Sequence, residues 1–155
     1  MRIVALSLTE PWAVLMPLGA KKVETRSWRT SYRGWVAIHA SKVFPKDARD
    51  LAVEEDYFFS ALFLHGGYES VGDLPLGAIV AVGRLVGCRP TEELRIHLSE
   101  QERAFGDYSP GRWAWIFEDV HRLPEPIPAN GSRRLWTPEP AVHERLEEFV
   151  RGIQS

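Results

Sequence analysis

The segment GAKKVETR, residues 19–26, contains the pattern G-x-K-x-x-E-x-R, whose fixed positions include three ionisable side chains. A carboxylate at Glu24 between the cations Lys21 and Arg26 can hold both in fixed positions, and their charges lower its own pKa. A lysine supplies a point charge to a phosphate or, once desolvated, a nucleophile or base. An arginine supplies a planar fork for a phosphate or a base edge. The pattern predicts a site for an anion; the alternative is a surface ion-pair cluster that only orders a loop.

The charge of the chain is unevenly distributed around this segment. The 155 residues carry 19 basic and 21 acidic side chains, a net charge of −2, whereas residues 21–33 carry five basic side chains and one acidic side chain. This basic segment is therefore +4 and the remainder is −6. Trp28, Tyr32 and Trp35 are interleaved with the cations, as suits single-stranded nucleic acid, whose bases stack on aromatic rings. We predict core packing for Trp35 and retain Trp28 as the stacking candidate.

Further candidates lie outside the basic segment. Lys42, at the end of a predicted strand, is a second phosphate contact, and Arg112 follows a turn that aims it into the same cleft or toward a neighbouring acid. His39 is either a general base or phosphate donor, or a hydrogen-bonded interior group. The segment SRRLW, residues 132–136, is a smaller basic and aromatic group that flanks the cleft or caps the barrel.

Hydrophobic periodicity predicts an α+β fold in one domain, residues 1–155, formed by an antiparallel, partly closed barrel with helices on its outside. Gly83 predicts a bulge or a sharp bend in its strand. The basic segment is expected to be irregular or shortly extended, with an exposed or half-exposed Lys21 at the mouth of the barrel. A proline-rich loop is expected around residues 124–128. The predicted strands are residues 3–8, 35–41, 78–86 and 112–120, and the predicted helices are residues 11–18, 46–64, 90–104 and a last one opening at residues 137–140.

Several classes of protein are disfavoured. No glycine-rich phosphate loop is present, and Cys88 is the only cysteine, so neither an intrachain disulfide nor a cysteine-based zinc site can form. The histidines have no ligand spacing, and we expect no metal and no cofactor. No apolar run approaches the roughly 20 residues of a membrane span, and the first residues lack the features of a signal peptide. We therefore expect a cytoplasmic protein with no membrane partner.

The chain resembles the ASCH family, the activating signal cointegrator homology domains of the PUA-like superfamily. The resemblance runs through LSLTEPWAVLMPLG, the signature GAKKVETRSWR, GWVAIHASK, GAIVAVGRLVG, GRWAWIFEDV and PIPANGSRRLW. It implies a mixed β-barrel with an adjacent cleft and places Lys21, Glu24 and Arg26 at the signature positions. It also implies an RNA-related role, since members include nucleic-acid binders, nucleases and a small bacterial branch that deacylates acetylated cytidine.

The deacylating activity transfers poorly to this sequence. Those members use a Lys–Thr–Glu set, and Glu24 stands where they have threonine. Lys21 matches their lysine, Thr25 is one position out of register, and Glu69 is the nearest candidate for their glutamate.

Three hypotheses about function follow. The leading one is a domain that binds single-stranded RNA or a nucleotide-like ligand. The second is a metal-independent hydrolase of RNA or of a modified nucleoside, with Lys21 and Glu24 as its chemical groups. The third is a protein-interaction module whose basic segment docks an acidic partner. The expected ligand-binding residues are Lys21, Glu24, Arg26, Trp28, Lys42 and Arg112.

Overall fold

A curled six-stranded sheet, a half-barrel, lies at the centre of the computed structural model, which describes all 155 residues. Its order is β2-β5-β4-β3-β1-β6, with helices packed around it, and the predicted α+β fold class is confirmed. The bulge predicted at Gly83 is also confirmed, since the β4–β5 register shifts between Val82 and Arg84. The strands are β1 (Val4–Leu8), β2 (Val23–Arg26), β3 (Gly34–Ala40), β4 (Ala78–Pro90), β5 (Trp113–Pro128) and β6 (Leu135–Trp136).

The helices are shorter than the sequence predicted, apart from the last one. The predicted helix over residues 46–64 breaks at Glu55, whose extended backbone lets its carboxylate accept a hydrogen bond from Phe58 N at 3.0 Å. The predicted helix over 90–104 breaks at extended Leu98, and Ser99 then caps the next helix. None of the helices combines the length and the apolarity needed to cross a bilayer. They are α1 (Trp12–Leu15), α2 (Lys46–Glu54), α3 (Asp56–Phe59), α4 (Thr91–Leu94), α5 (Glu100–Ala104) and α6 (Pro140–Gln154), with a π-helical turn at Ser60–His65 and 3₁₀ turns at Val71–Asp73 and Arg95–His97.

The prediction of an antiparallel barrel is wrong at one pair of strands. β1 and β3 are parallel, with Ser7 opposite His39, while the remaining neighbours in the sheet are antiparallel. A parallel pair needs a long crossover, and α1 and β2 supply it here. The sheet is therefore mixed, as the family resemblance implied.

The proline-rich segment belongs to β5 and is not a loop. Beyond Ile116, β5 pairs with β4 alone, because β2 reaches only Val23–Arg26. Ala129 N donates to Gly77 O on the β4 side, so the neighbouring nitrogen of Pro128 faces the open edge. Prolines are tolerated on a free strand edge, where no ladder hydrogen bond is lost. Pro124 and Pro126 lie where the β4–β5 register shifts between Ile79 and Ala81, an irregularity of the kind in which prolines also occur.

The two faces of the sheet pack separate cores. Val36 and Ile38 of β3 lie inside the curl with Trp115 and Met16, whereas Trp35 and Ala37 lie on the outer face beneath α6. This alternation follows from the two-residue period of a strand. The burial of Trp35, which is 8% exposed, confirms its prediction as a core residue.

Candidate functional site

Lys21 lies in the interior of the protein, which corrects the expectation of an exposed or half-exposed side chain. It is 0% exposed. Its Nζ donates to Val23 O and, at 2.9 Å, to Phe105 O, and lies 3.4 Å from Glu24 Oε1. The turn after α1 is held by a backbone hydrogen bond from Lys21 N to Leu15 O, and the lysine side chain enters the interior from this turn. A buried ammonium is tolerated when acceptors surround it in this way.

Glu24 and Arg26 share one face of β2 because side chains two residues apart point the same way. Glu24 Oε2 accepts hydrogen bonds from Arg26 Nε at 3.2 Å and from Nη2 at 2.9 Å, and Arg26 Nη2 also donates to Ser7 O at 2.8 Å. Burial of Glu24 acts to raise its pKa, but the charges of Lys21 and Arg26 outweigh burial and hold the pKa below its ordinary value. The signature is therefore one connected ionic chain, with both cations on the same side of the molecule as predicted.

A cavity of about 490 Å³, the signature cavity, opens at the outer end of this chain. Glu24, Thr25 and Arg26 form part of its wall, and Arg112 faces them from the start of β5. Arg112 Nη2 donates to Thr25 O at 3.4 Å, and its Nε lies 3.5 Å from Asp107 Oδ2. The structure thus places Glu24, Arg26 and Arg112 around this cavity. Lys21 contacts Glu24 from the interior, and neither Lys21 nor Trp28 lines the cavity.

Lys42 lies in a second cavity of about 1,090 Å³, the larger cavity. Ser7 and Thr9 line both cavities, so the two meet along the end of β1. Lys42 is exposed and makes no hydrogen bond or ion pair within the chain. Arg133, from the segment 132–136, also lines the larger cavity.

Ser7 and His39 form a hydrogen-bonded pair that the sequence reasoning missed. Ser7 Oγ lies 2.9 Å from His39 Nδ1, and His39 Nε2 lies 2.8 Å from Ala129 O. Trp136 Nε1 donates to Ser7 Oγ at 3.2 Å. His39 is 2% exposed, and burial lowers the pKa of its imidazole. The missing signal was the parallel β1–β3 register, which hydrophobic patterns do not reveal.

Trp28 lines neither cavity and packs, half-buried, against the core inside the curl. Its half-buried ring packs edge-on against Trp115 with centroids 4.6 Å apart, and Arg134 lies over the ring at 4.8 Å. Arg29 lies over Trp113 in the same way at 5.7 Å. The two exposed arginines thus place guanidinium groups on aromatic faces, an arrangement that also suits a stacked base.

Buried acids form a further group that the sequence reasoning missed. Glu102 Oε1 accepts from Lys22 N at 2.7 Å, and burial raises the pKa of Glu102. Glu10 is 0% exposed, and one of its carboxyl oxygens, like one of Glu102 and the hydroxyl of Tyr108, has no hydrogen-bond partner. A buried carboxyl is inconspicuous in a sequence because its setting depends on tertiary packing.

The fold and the site define a small half-barrel domain with an internal lysine, a clamped arginine and a cleft between helices and sheet. A family model described as the ASCH domain matches residues 6–127, and the chain belongs to this family. It is 27% identical to human activating signal cointegrator 1 over 142 residues, or 90% of the chain, and 25% identical to the mouse protein over the same length. The chain spans about a quarter (23%) of the length of these relatives.

Solved structures of ASCH proteins have the same fold. The crystal structure of ASCH from Zymomonas mobilis is similar with a TM-score of 0.57 and 15% identity, covering 94% of both chains. Tyrosine-to-phenylalanine and serine-to-alanine variants of that protein match with TM-scores of 0.57 and 0.55, each at 15% identity; the first match covers 96% of this chain and 98% of the variant, the second 95% of both.

Thr25 and Glu69, the nearest matches to the threonine and glutamate of the deacylating set, do not line a common cavity. Thr25 lines the signature cavity, and its hydroxyl accepts from Asp107 N at 3.0 Å. Glu69 is exposed and lines neither cavity.

Proposed function

We propose that this domain binds single-stranded RNA or a nucleotide-like ligand at the signature cavity. The observation that carries the proposal is the setting of Arg26. Glu24 Oε2 and Ser7 O occupy the N–H groups of Nε and Nη2, whereas both N–H groups of Nη1 lack a partner in the chain. A fixed guanidinium with two free donors beside a cavity suits a phosphate oxygen or a base edge.

Lys21 supports this site from the interior and does not touch the ligand. Its ammonium holds Glu24 Oε1, and Glu24 Oε2 holds Arg26. Both cations of the signature therefore meet one carboxylate, and only the outer one faces the cavity. We assign Lys21 and Glu24 a positioning role and Arg26 the contact.

Arg112 and Lys42 extend the ligand site into the two cavities. Arg112 lines the signature cavity, and Lys42 lines the larger one beyond Ser7 and Thr9. A chain of phosphates that crosses this junction would meet a cation on each side of it. Trp28 follows Arg26 by two residues in the sequence, and its ring, which already carries the Arg134 guanidinium, supplies a stacking face for a base.

The test is a fluorescence anisotropy titration of a short labelled single-stranded RNA at low salt. Arg26→Ala and Arg112→Ala should each weaken binding about tenfold, as expected for one charge-assisted contact. Arg26→Lys should recover only part of the loss, because lysine keeps the charge but lacks the fork. Arg145→Ala is the matched control, since Arg145 is exposed, forms no ion pair and lines neither cavity.

Thermal unfolding of each variant separates lost contacts from lost structure. Equal binding by Arg26→Ala and Arg145→Ala would remove RNA from the signature cavity. No binding by the unaltered protein at low salt would favour the protein-interaction module, with an acidic protein as the partner.

A further inference from the structure

We infer that Ser7 and His39 are a nucleophile and its general base, placed to cleave an ester or amide of a phosphate-bearing acyl compound. This activity goes beyond RNA binding and uses neither Lys21 nor Glu24. The pair lies at the junction of the two cavities, since Ser7 lines both and His39 lines the larger one.

Hydrogen-bond partners fix the tautomer of His39. Ala129 O can only accept, so Nε2 carries the proton of the 2.8 Å contact. A neutral imidazole then has its lone pair on Nδ1, which faces Ser7 Oγ at 2.9 Å. His39 is therefore oriented as a base toward the serine hydroxyl.

The direction of the Ser7 hydroxyl follows from its second neighbour. Trp136 Nε1 can only donate, and it contacts Ser7 Oγ at 3.2 Å. The hydroxyl hydrogen consequently points to Nδ1, and one lone pair of Oγ stays free for attack. A serine paired with a base that a third group orients is the arrangement of an activated nucleophile.

The surroundings of the pair suit an anionic substrate. Lys42 and Arg133 line the larger cavity, and Ser7 itself is half-buried at the boundary. Gly131, in the loop between β5 and β6, lies directly against the pair. A Cβ at this position would lie 2.7 Å from Ser7 Oγ and 2.8 Å from His39 Cε1. The chain thus approaches the pair more closely than any residue with a side chain would allow.

The reaction balances with water as the only co-reactant. Ser7 Oγ forms a bond to the acyl carbon while its proton passes to His39 Nδ1. The bond from that carbon to the leaving alcohol or amine breaks, and the leaving group takes the proton from Nδ1. Water then attacks the acyl-serine, gives one proton to Nδ1, and the serine oxygen recovers it on release of the acid.

A fluorophosphonate probe tests the pair directly, because an activated serine displaces fluoride and keeps the phosphonyl group. Mass spectrometry of the unaltered protein should locate the label on Ser7. Ser7→Ala should abolish labelling, and His39→Gln, which can still donate to Ala129 O, should slow it by about a hundredfold or more. Ser41→Ala is the matched control, because Ser41 lines the same cavity without a histidine partner and its loss should leave labelling unchanged.

The pH profile distinguishes a base from a structural histidine. The labelling rate should rise with pH as His39 loses its proton and then level off, and His39→Gln should flatten this rise. No label on Ser7 in the folded protein, or a rate that His39→Gln leaves unchanged, would overturn the inference. RNA binding by Ser7→Ala reports separately on the proposed function, which needs only the backbone carbonyl of Ser7.

Discussion

Lys21 Nζ lies 3.4 Å from Glu24 Oε1, and the lysine side chain has no contact with solvent. The same carboxylate holds Arg26 through its other oxygen at 2.9 Å. One residue thus connects a fully enclosed cation to a cation on a cavity wall. The signature has an interior half, which stabilises the loop after α1, and an outer half, which is open to a ligand.

Lys21→Ala should destabilise the fold by about 3–5 kcal/mol, the usual cost of breaking a buried ion pair. The substitution leaves Glu24 without its inner partner and the carbonyls of Val23 and Phe105 without a donor. Urea denaturation measures the free energy of unfolding. Lys22→Ala is the control, because the side chain of Lys22 is exposed and forms no ion pair, and this variant should unfold like the unaltered protein. Similar midpoints for the two variants would contradict the interior role of Lys21.

RNA binding should depend on salt through the guanidinium groups and not through Trp28. Each phosphate neutralised on a single strand contributes about −0.7 to the slope of log affinity against log salt. Arg26→Ala should therefore bind RNA more weakly and show a shallower slope of log affinity against log salt. Trp28→Ala should weaken binding by on the order of 1–3 kcal/mol, the value of one stacked base, with the slope unchanged. Titrations at several salt concentrations measure both quantities, and equal slopes for Arg26→Ala and the unaltered protein would contradict the phosphate contact.

Hydrophobic patterns predicted the four long strands because alternation along β3 and a continuous apolar run in β4 are local signals. They did not predict the parallel register of β1 and β3 or the strand character of residues 123–128. The β1–β3 register and the strand at residues 123–128 both depend on which strands become neighbours in the folded sheet. The loop-like composition of the proline-rich segment was overridden by pairing with β4 along one edge.

The sequence predicted which residues form the site better than it predicted how deeply they are buried. Charge and spacing identified Glu24 and Arg26, which share a strand face, and Arg112, which the structure brings to the same cavity. They did not place Lys21 inside, because a lysine is buried only where tertiary carbonyls such as Phe105 O meet it. Ser7 and His39, 32 residues apart in the sequence, carry no local signal of their contact.

Gly131→Ala should disturb the Ser7–His39 pair while leaving the signature intact. The added Cβ would meet Ser7 Oγ at 2.7 Å, so either the loop or the pair must shift, at a cost of about 1–3 kcal/mol. Because the pair is disturbed, the rate at which the fluorophosphonate labels Ser7 should also fall. Gly152→Ala in α6 is the control, because a Cβ there meets no atom within 4 Å and alanine favours helix, so that variant should be slightly more stable. Gly131→Ala that keeps full stability and labelling would contradict the close approach.

Glu10 makes the stability of the protein depend on pH. Its carboxyl group is fully enclosed; Oε1 accepts from Val14 N at 3.1 Å, and Oε2 has no partner. Burial raises the pKa of Glu10 to about 8, although the amides of Val14 and Ala13 act against it. In the unfolded chain the group titrates near its ordinary value of 4.5. The folded protein therefore holds one more proton than the unfolded chain between these two pH values.

Glu10→Gln should remove most of this dependence. Relative to the variant, the unaltered protein should lose unfolding free energy as pH rises from about 5 to 8, by on the order of 1.4 kcal/mol per pH unit, because ionisation of Glu10 is easier in the unfolded chain. Burial also raises the pKa of Glu102, which adds a decline, and lowers the pKa of His39, which adds a rise below the ordinary histidine value of 6.5, whereas the lowered pKa of Glu24 acts only at more acidic pH. These contributions are common to the unaltered protein and the variant, so the difference between the two curves reports on Glu10. Urea denaturation at several pH values measures the two curves. Parallel curves would contradict a buried, proton-binding Glu10, and curves that converge toward pH 5 and separate toward pH 8 are the expected result.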